Sequence, residues 1–218
     1  MSPKWLDIEL SRLTARKSMV PQLYLITPSN PDLTSFPKTL MAVLNAAEFS
    51  ALLVRRGSMD DAAYARFAAE IINVGQGAGC AVLVEDDTAL TKRLGADGVH
   101  VSGGAKAVQE AAKALKPSMI VGAGNLGSRH DAMTAGESDV DYVFFGSLDG
   151  KVDPHAVELA QWWSETFEVP AVLSDPEALP QAATAHGAEF LALSTSIWSA
   201  PDPKHAVRTI IEALEETA

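Results

Sequence analysis

The stretch "AVLVEDDTALTKRLGADGVHV", Ala81 to Val101, decides the fold. It opens on a near-continuous apolar run, Ala81 to Glu85, passes three acids, continues through the helical pattern "TALTKRL", and closes on a second apolar run, Gly98 to Val101. Unbroken apolar runs of this length, bounded by turn residues, are strands buried on both faces, and a helix long enough to cross between them makes the pair parallel.

The same unit recurs in both directions. Further strands are expected at "QLYLIT" (Gln22 to Thr27), "SALLVR" (Ser50 to Arg55), "MIVG" (Met119 to Gly122), "DYVFFG" (Asp141 to Gly146), "AVLS" (Ala171 to Ser174) and "FLALS" (Phe190 to Ser194), eight in all. Amphipathic stretches such as "DDAAYARFAAEIINVG", "AKAVQEAAKALK", "DPHAVELAQWWSETF" and "PKHAVRTIIEALEETA" supply the crossovers, and each strand is expected to be followed by a helix. Closing such a sheet removes both edges, so the reading is an α/β (β/α)8 TIM barrel spanning 21–218 as one domain. An open doubly wound sheet is the alternative built from the same units. Residues 1–20 form an extension in which Trp5, Ile8, Leu10 and Leu13 recur at helical spacing, suited to capping the barrel or packing on a partner.

Composition narrows the partners. Seventeen basic against twenty-eight acidic side chains leave a net charge of -11, which repels phosphate backbones and anionic lipid. Neither nucleic acid nor a membrane is expected as a partner, and without an apolar leader the chain reads as cytoplasmic. The single cysteine, Cys80, lies in "GCAVLV" and reads as core. Adjacent Trp162 and Trp163 cannot both face the core from one helix, so one of them is expected at the surface, where it suits a homodimer contact.

"IVGAGNLGSRH", Ile120 to His130, carries Gly122-x-Gly124-x-x-Gly127, the spacing of a dinucleotide-binding turn. The context is wrong for that role. The motif follows the fifth strand, and the acid of the next strand, Asp141, sits at its beginning, away from any ligand. The remaining reading is that Gly122, Gly124 and Asn125 open a loop at the barrel mouth where a ligand approaches backbone N–H groups.

Barrel enzymes carry their chemistry at the C-terminal ends of the strands. There the sequence places Glu85, Asp86 and Asp87, suited either to capping the next helix or to holding a divalent ion, with Asp86 expected to face the mouth and its neighbours outward. Arg55 ends the second strand, placed to pair with Asp86 or Glu85 or to hold a phosphate. His100 lies within the fourth strand, either as a hydrogen-bonded core residue or as the one imidazole near the site. Ser194 and Thr195 follow the last strand, where loops of such barrels hold phosphate. No Ser-His-Asp order, His-Cys metal spacing or phosphate-binding P-loop is present.

"LGADGVHV", together with "YLIT", "LLVR", "VEDD", "VDYVFFGS", "VPAVLSD" and "GAEFLALSTSIW", resembles the thiamine phosphate synthase and thiazole tautomerase family from Pro21 to about Pro203. The resemblance implies a (β/α)8 barrel and the joining of a pyrimidine pyrophosphate to a thiazole phosphate, with release of pyrophosphate aided by Mg2+. It implies catalytic roles for Arg55 and Asp86, with Asp86 a metal ligand, and a small phosphorylated heterocycle as ligand; together with the residues read at the mouth, the expected binding set is Arg55, His100, Gly122, Gly124, Lys151, Ser194 and Thr195.

Several family positions have changed. Leu53 and Gly57 stand where the family has Gln and Lys, Ala105 where it has the second metal-binding Asp, Gly124 where a Ser is common, and Leu126 at the tautomerase histidine. Lys151 only approximates the family's phosphate-binding lysine, and "LSDPEA" replaces the paired glycines that receive the thiazole phosphate. Two readings follow: a divergent synthase, or a barrel without synthase activity that binds a phosphorylated heterocycle and serves in regulation.

Overall fold

The computed structural model describes residues 20–217, in which eight parallel strands close into a barrel in sequence order. They are β1 (Gln22–Ile26), β2 (Ala51–Val54), β3 (Ala81–Glu85), β4 (Gly98–Val101), β5 (Ile120–Ala123), β6 (Tyr142–Phe145), β7 (Ala171–Ser174) and β8 (Phe190–Leu193). The helices are α1 (Phe36–Leu44), α2 (Asp61–Gly77), α3 (Thr88–Leu94), α4 (Ala105–Leu115), α5 (Arg129–Gly136), α6 (Pro154–Thr166), α7 (Thr195–Trp198) and α8 (Pro203–Thr217). All eight expected strands are present, and closure rules out the open sheet. Apart from Val20, the expected N-terminal extension lies outside the described residues.

One expectation needs correction. After β7 there is no α-helix, only a 3-10 turn at Pro180–Ala182. Pro176 and Pro180 explain it, since each lacks the N–H that a helix interior needs. The Pro176 carbonyl instead accepts the N–H groups of Ser194 and Ser196, tying this connection to the start of α7.

Strand alternation divides the apolar side chains into two layers. Leu52, Val54, Val82, Val84, Val99 and Val121 face outward and bury the apolar faces of the helices; Cys80 belongs to this layer, as expected. Tyr24, Ile26, Leu53, Leu83, Tyr142, Phe144, Val172 and Ala192 fill the barrel interior. The large rings fit because neighbouring strands present glycine. A Cβ on Gly122 would overlap the Tyr142 ring, one on Gly124 the His100 imidazole, and one on Gly98 the Ile120 carbonyl.

Carboxylates fasten the N-terminal end of the barrel. Asp97 accepts from Val82 N at 2.7 Å, Asp141 from Val121 N at 2.8 Å and Glu189 from Ala171 N at 2.8 Å, so the residue before each of β4, β6 and β8 secures the preceding strand. Lys116 neutralises Asp141 at 2.6 Å. At the other end the helices start from side-chain caps: Asp60 accepts from Ala63 N, Asp87 from Leu90 N and Ser128 from Asp131 N. Such a cap contributes about 1 kcal/mol.

Trp162 is not the free surface residue expected. Trp163 is buried, while Trp162 packs edge-on against Trp163 and Phe167 and lies under the Arg129 guanidinium, 4.7 Å from its ring centroid. No described helix is long and apolar enough to cross a membrane.

Gly122→Ala should therefore overpack the interior and cost about 1–3 kcal/mol in urea unfolding. Unchanged stability would mean that the Tyr142 ring has room to shift.

Candidate active site

At the C-terminal mouth of the barrel a cavity of about 250 Å³ is lined by Arg55, Glu85, His100, Ser102, Asn125 and Asp149, with Phe144 as its floor and Gly146, Ser147 and Leu148 along one side. The two-residue period of the strands carries its main side chains inward. Leu53 points into the barrel, so Arg55 does too; Leu83 points inward, hence Glu85.

This alternation corrects the expected orientation of the acids. Glu85, not Asp86, lines the cavity. Its carboxylate accepts from Arg56 N at 2.6 Å, and its own N–H donates to the Tyr64 hydroxyl, which donates in turn to the Val54 carbonyl. Asp86 is exposed, has a left-handed backbone (φ 51°), and accepts from Ser102 N at 2.7 Å, which joins the loops after β3 and β4. Asp87 caps α3.

Arg55 also has a different partner from either one expected. Its Nη1 donates to Asp149 at 3.0 Å across the mouth, and its side chain is only 14% exposed. Its Nε is buried, with no hydrogen-bond partner among the described residues. Arg55 lines the cavity, and the exposed Asp149 is the acid that pairs with it there. Arg56 turns outward to Asp61 and lies over the Tyr64 ring.

His100 is fully within the barrel. Its Nδ1 lies 3.0 Å from the Tyr142 hydroxyl, which lies 3.0 Å from the Tyr24 hydroxyl, and its ring meets Phe144 edge-on. Burial pushes its pKa down from the ordinary 6.5 to about 4, so it is neutral at pH 7. The same desolvation pushes both tyrosines well up. Both expectations for His100 meet in one residue, since it is hydrogen-bonded core and lines the cavity.

The remaining expected ligands are placed otherwise. Gly122 and Gly124 make room for Tyr142 and His100, and Gly124 N already donates to the Val101 carbonyl at 2.8 Å, so it offers nothing to a ligand. Ser194 is buried with its hydroxyl on the Ile26 carbonyl and its N–H on that of Pro176. Thr195 begins the single-turn α7 and is absent from the cavity wall, as is the exposed Lys151. Sequence reasoning missed Ser102 as a cavity residue and the pairing of Asp149 with Arg55. Alternation from His100 points to Ser102, whereas Asp149 sits on an irregular loop with no periodic signal.

The donor set does not fit the expected Mg2+. Position 105 is alanine, Asp149 is taken by Arg55, and among the described residues no group of three or more His, Cys, Asp or Glu side chains is arranged to hold a metal ion. A hard cation held by one or two carboxylates and the substrate's phosphates loses half of its protein ligands with Ala105, and the remaining one, Asp86, already accepts from Ser102 N.

Comparison with known proteins gives a consistent result. The family described as thiamine monophosphate synthase matches residues 23–197. A thiamine-phosphate synthase from Hyphomonas neptunium is 35% identical over 94% of this chain and 99% of its own, and one from Erythrobacter litoralis is 35% identical over 88% and 95%. Among solved structures, a thiamine phosphate pyrophosphorylase from Pyrococcus furiosus superposes with a TM-score of 0.74 at 19% identity, covering 91% of this chain and 97% of that one. An orotidine 5'-phosphate decarboxylase from Pyrococcus horikoshii gives a TM-score of 0.64 at 13% identity over 87% and 98%, a likeness of fold alone.

Two outcomes follow from the site's electrostatics. His100 binds a proton in the unfolded chain near pH 6.5 but in the folded protein only near 4, so its contribution to stability is complete above 6.5 and declines as pH falls towards 4, by on the order of 3 kcal/mol. Urea unfolding across this range should show a shallower pH slope in His100→Asn, and equal slopes would contradict the burial effect. Asp149→Asn should free Arg55 and tighten inorganic phosphate binding about two- to five-fold, the scale of a partly exposed ion pair. Unchanged affinity in a calorimetric titration would mean that Asp149 does not compete for the guanidinium.

Proposed function

The chain belongs to the thiamine monophosphate synthase family, and on that premise we propose that its barrel mouth couples a pyrimidine pyrophosphate to a thiazole phosphate, giving thiamine phosphate and releasing pyrophosphate. Arg55 carries this reading: a largely buried guanidinium lining the cavity where barrel enzymes react, its Nε without a partner among the described residues. When pyrophosphate departs, negative charge grows on its bridging oxygen, and a fixed cation in a poorly hydrated site stabilises that charge more than it stabilises the bound substrate. Asp149 has to yield Arg55 to the substrate. Because Asp149 is 62% exposed, water solvates it once displaced and the exchange costs little.

The other side chains position the partners. His100 and Ser102 contribute polar contacts, Phe144 gives the heterocycle an apolar floor, and Asn125 holds the loops after β4 and β5 together through the Ser102 carbonyl at 3.3 Å. Catalysis is thus mainly orientation and electrostatic stabilisation. No step is assigned to Mg2+ or to Asp86 as its ligand. Residues 21–218 are taken as one barrel domain, and a cytoplasmic location belongs to the same proposal.

A second reading has its own support. Ala105 and the pairing of Asp149 with Arg55 suit a barrel that binds a phosphorylated heterocycle without turning it over.

Thiamine phosphate formation from the two substrates, with and without Mg2+, on the parent chain and on Arg55→Ala, separates the readings. The synthase reading expects turnover in the parent that falls at least a hundred-fold in the variant, a loss on the scale of one electrostatic donor. Saturable binding of thiazole phosphate with no turnover would establish the binding reading instead.

A further inference from the structure

The buried chain from Tyr24 through Tyr142 to His100 has a direction. Among the described residues the Tyr24 hydroxyl has one hydrogen-bond partner, the Tyr142 oxygen at 3.0 Å. Tyr24 is 1% exposed; unless it donates to Tyr142, its proton has no protein acceptor among the described residues. A stranded buried donor costs its full desolvation penalty. With the Tyr142 oxygen accepting, the Tyr142 proton has a single acceptor within reach among the described residues, His100 Nδ1 at 3.0 Å. Nδ1 is then an acceptor, and a neutral imidazole carries its proton on the other nitrogen. The reverse polarity keeps both hydrogen bonds but leaves the Tyr24 proton without a partner.

We propose that Tyr142 is a positioning residue: the dead-ended Tyr24–Tyr142–His100 chain holds His100 as its Nε2–H tautomer, so the cavity meets its ligand with a hydrogen-bond donor and selects a ligand atom that accepts. Glycine at position 124 completes the device. A Cβ there would overlap His100 Nε2, so the bare backbone leaves that nitrogen the space it occupies. The inference concerns the protein before any ligand arrives and therefore stands or falls apart from the coupling reaction.

The test is a long-range proton–nitrogen correlation spectrum of the full chain labelled with 15N-histidine, at pH 7.5, with the His100 signals identified by their loss in His100→Asn. The parent should show a single neutral tautomer with the proton on Nε2. Tyr24→Phe should keep it, because Nδ1 is still the only acceptor for the Tyr142 proton. Tyr142→Phe should lose it and show both tautomers in exchange. A parent spectrum with the proton on Nδ1 would overturn the proposal. So would equal disturbance by the two variants, the mark of lost packing, or an unchanged Nε2–H signal in Tyr142→Phe.

Discussion

The closed barrel encloses a fixed interior, and two of the rings placed inside it, those of Tyr142 and His100, are matched by a neighbour with no side chain. Tyr24, Tyr142, Phe144 and His100 crowd one side of that interior, and Gly98, Gly122 and Gly124 are the inward positions of the adjoining strands β4 and β5. The motif that resembles a dinucleotide turn is a product of this demand. Its first two glycines are spaced by two because the strand period is two, so both face inward, one beside Tyr142 and the other beside His100. Replacing either with a larger residue would move a hydrogen-bonded aromatic ring, and with it the floor of the cavity.

From this constraint the site inherits its rigidity. Arg55, Glu85 and His100 are the inward residues where strands end, so barrel closure fixes their directions before any loop contributes. The loops then add short polar clamps: Asp86 to Ser102 N, Asn125 to the Ser102 carbonyl, Glu85 to Arg56 N. Asp149 is different, exposed and on an irregular loop, so solvent can readily replace its hold on Arg55. The cavity is firm where strands supply its walls and exchangeable at its exposed rim.

How much of this was legible in the sequence depends on the range of the interaction involved. Strands are local patterns, and all eight could be read from short apolar runs. The direction of Glu85 was also readable, because Leu83 fixes it; the error lay in treating three acids as one cluster rather than continuing the alternation through them. The missing α-helix after β7 was signalled by Pro176 and Pro180. The Tyr24–Tyr142 bond could not be read, since its partners lie 118 residues apart and nothing local to either tyrosine names the other. The Arg55–Asp149 pair is hidden for the same reason, 94 residues apart, with several acids at the rim as equally plausible partners.

At position 124 backbone and imidazole fit together: any Cβ there would overlap His100 Nε2, so the glycine and the inward pose of His100 belong to one arrangement. At the mouth Arg55 is paired with Asp149 while Glu85 also lines the cavity, so an approaching anion meets one guanidinium against two carboxylates.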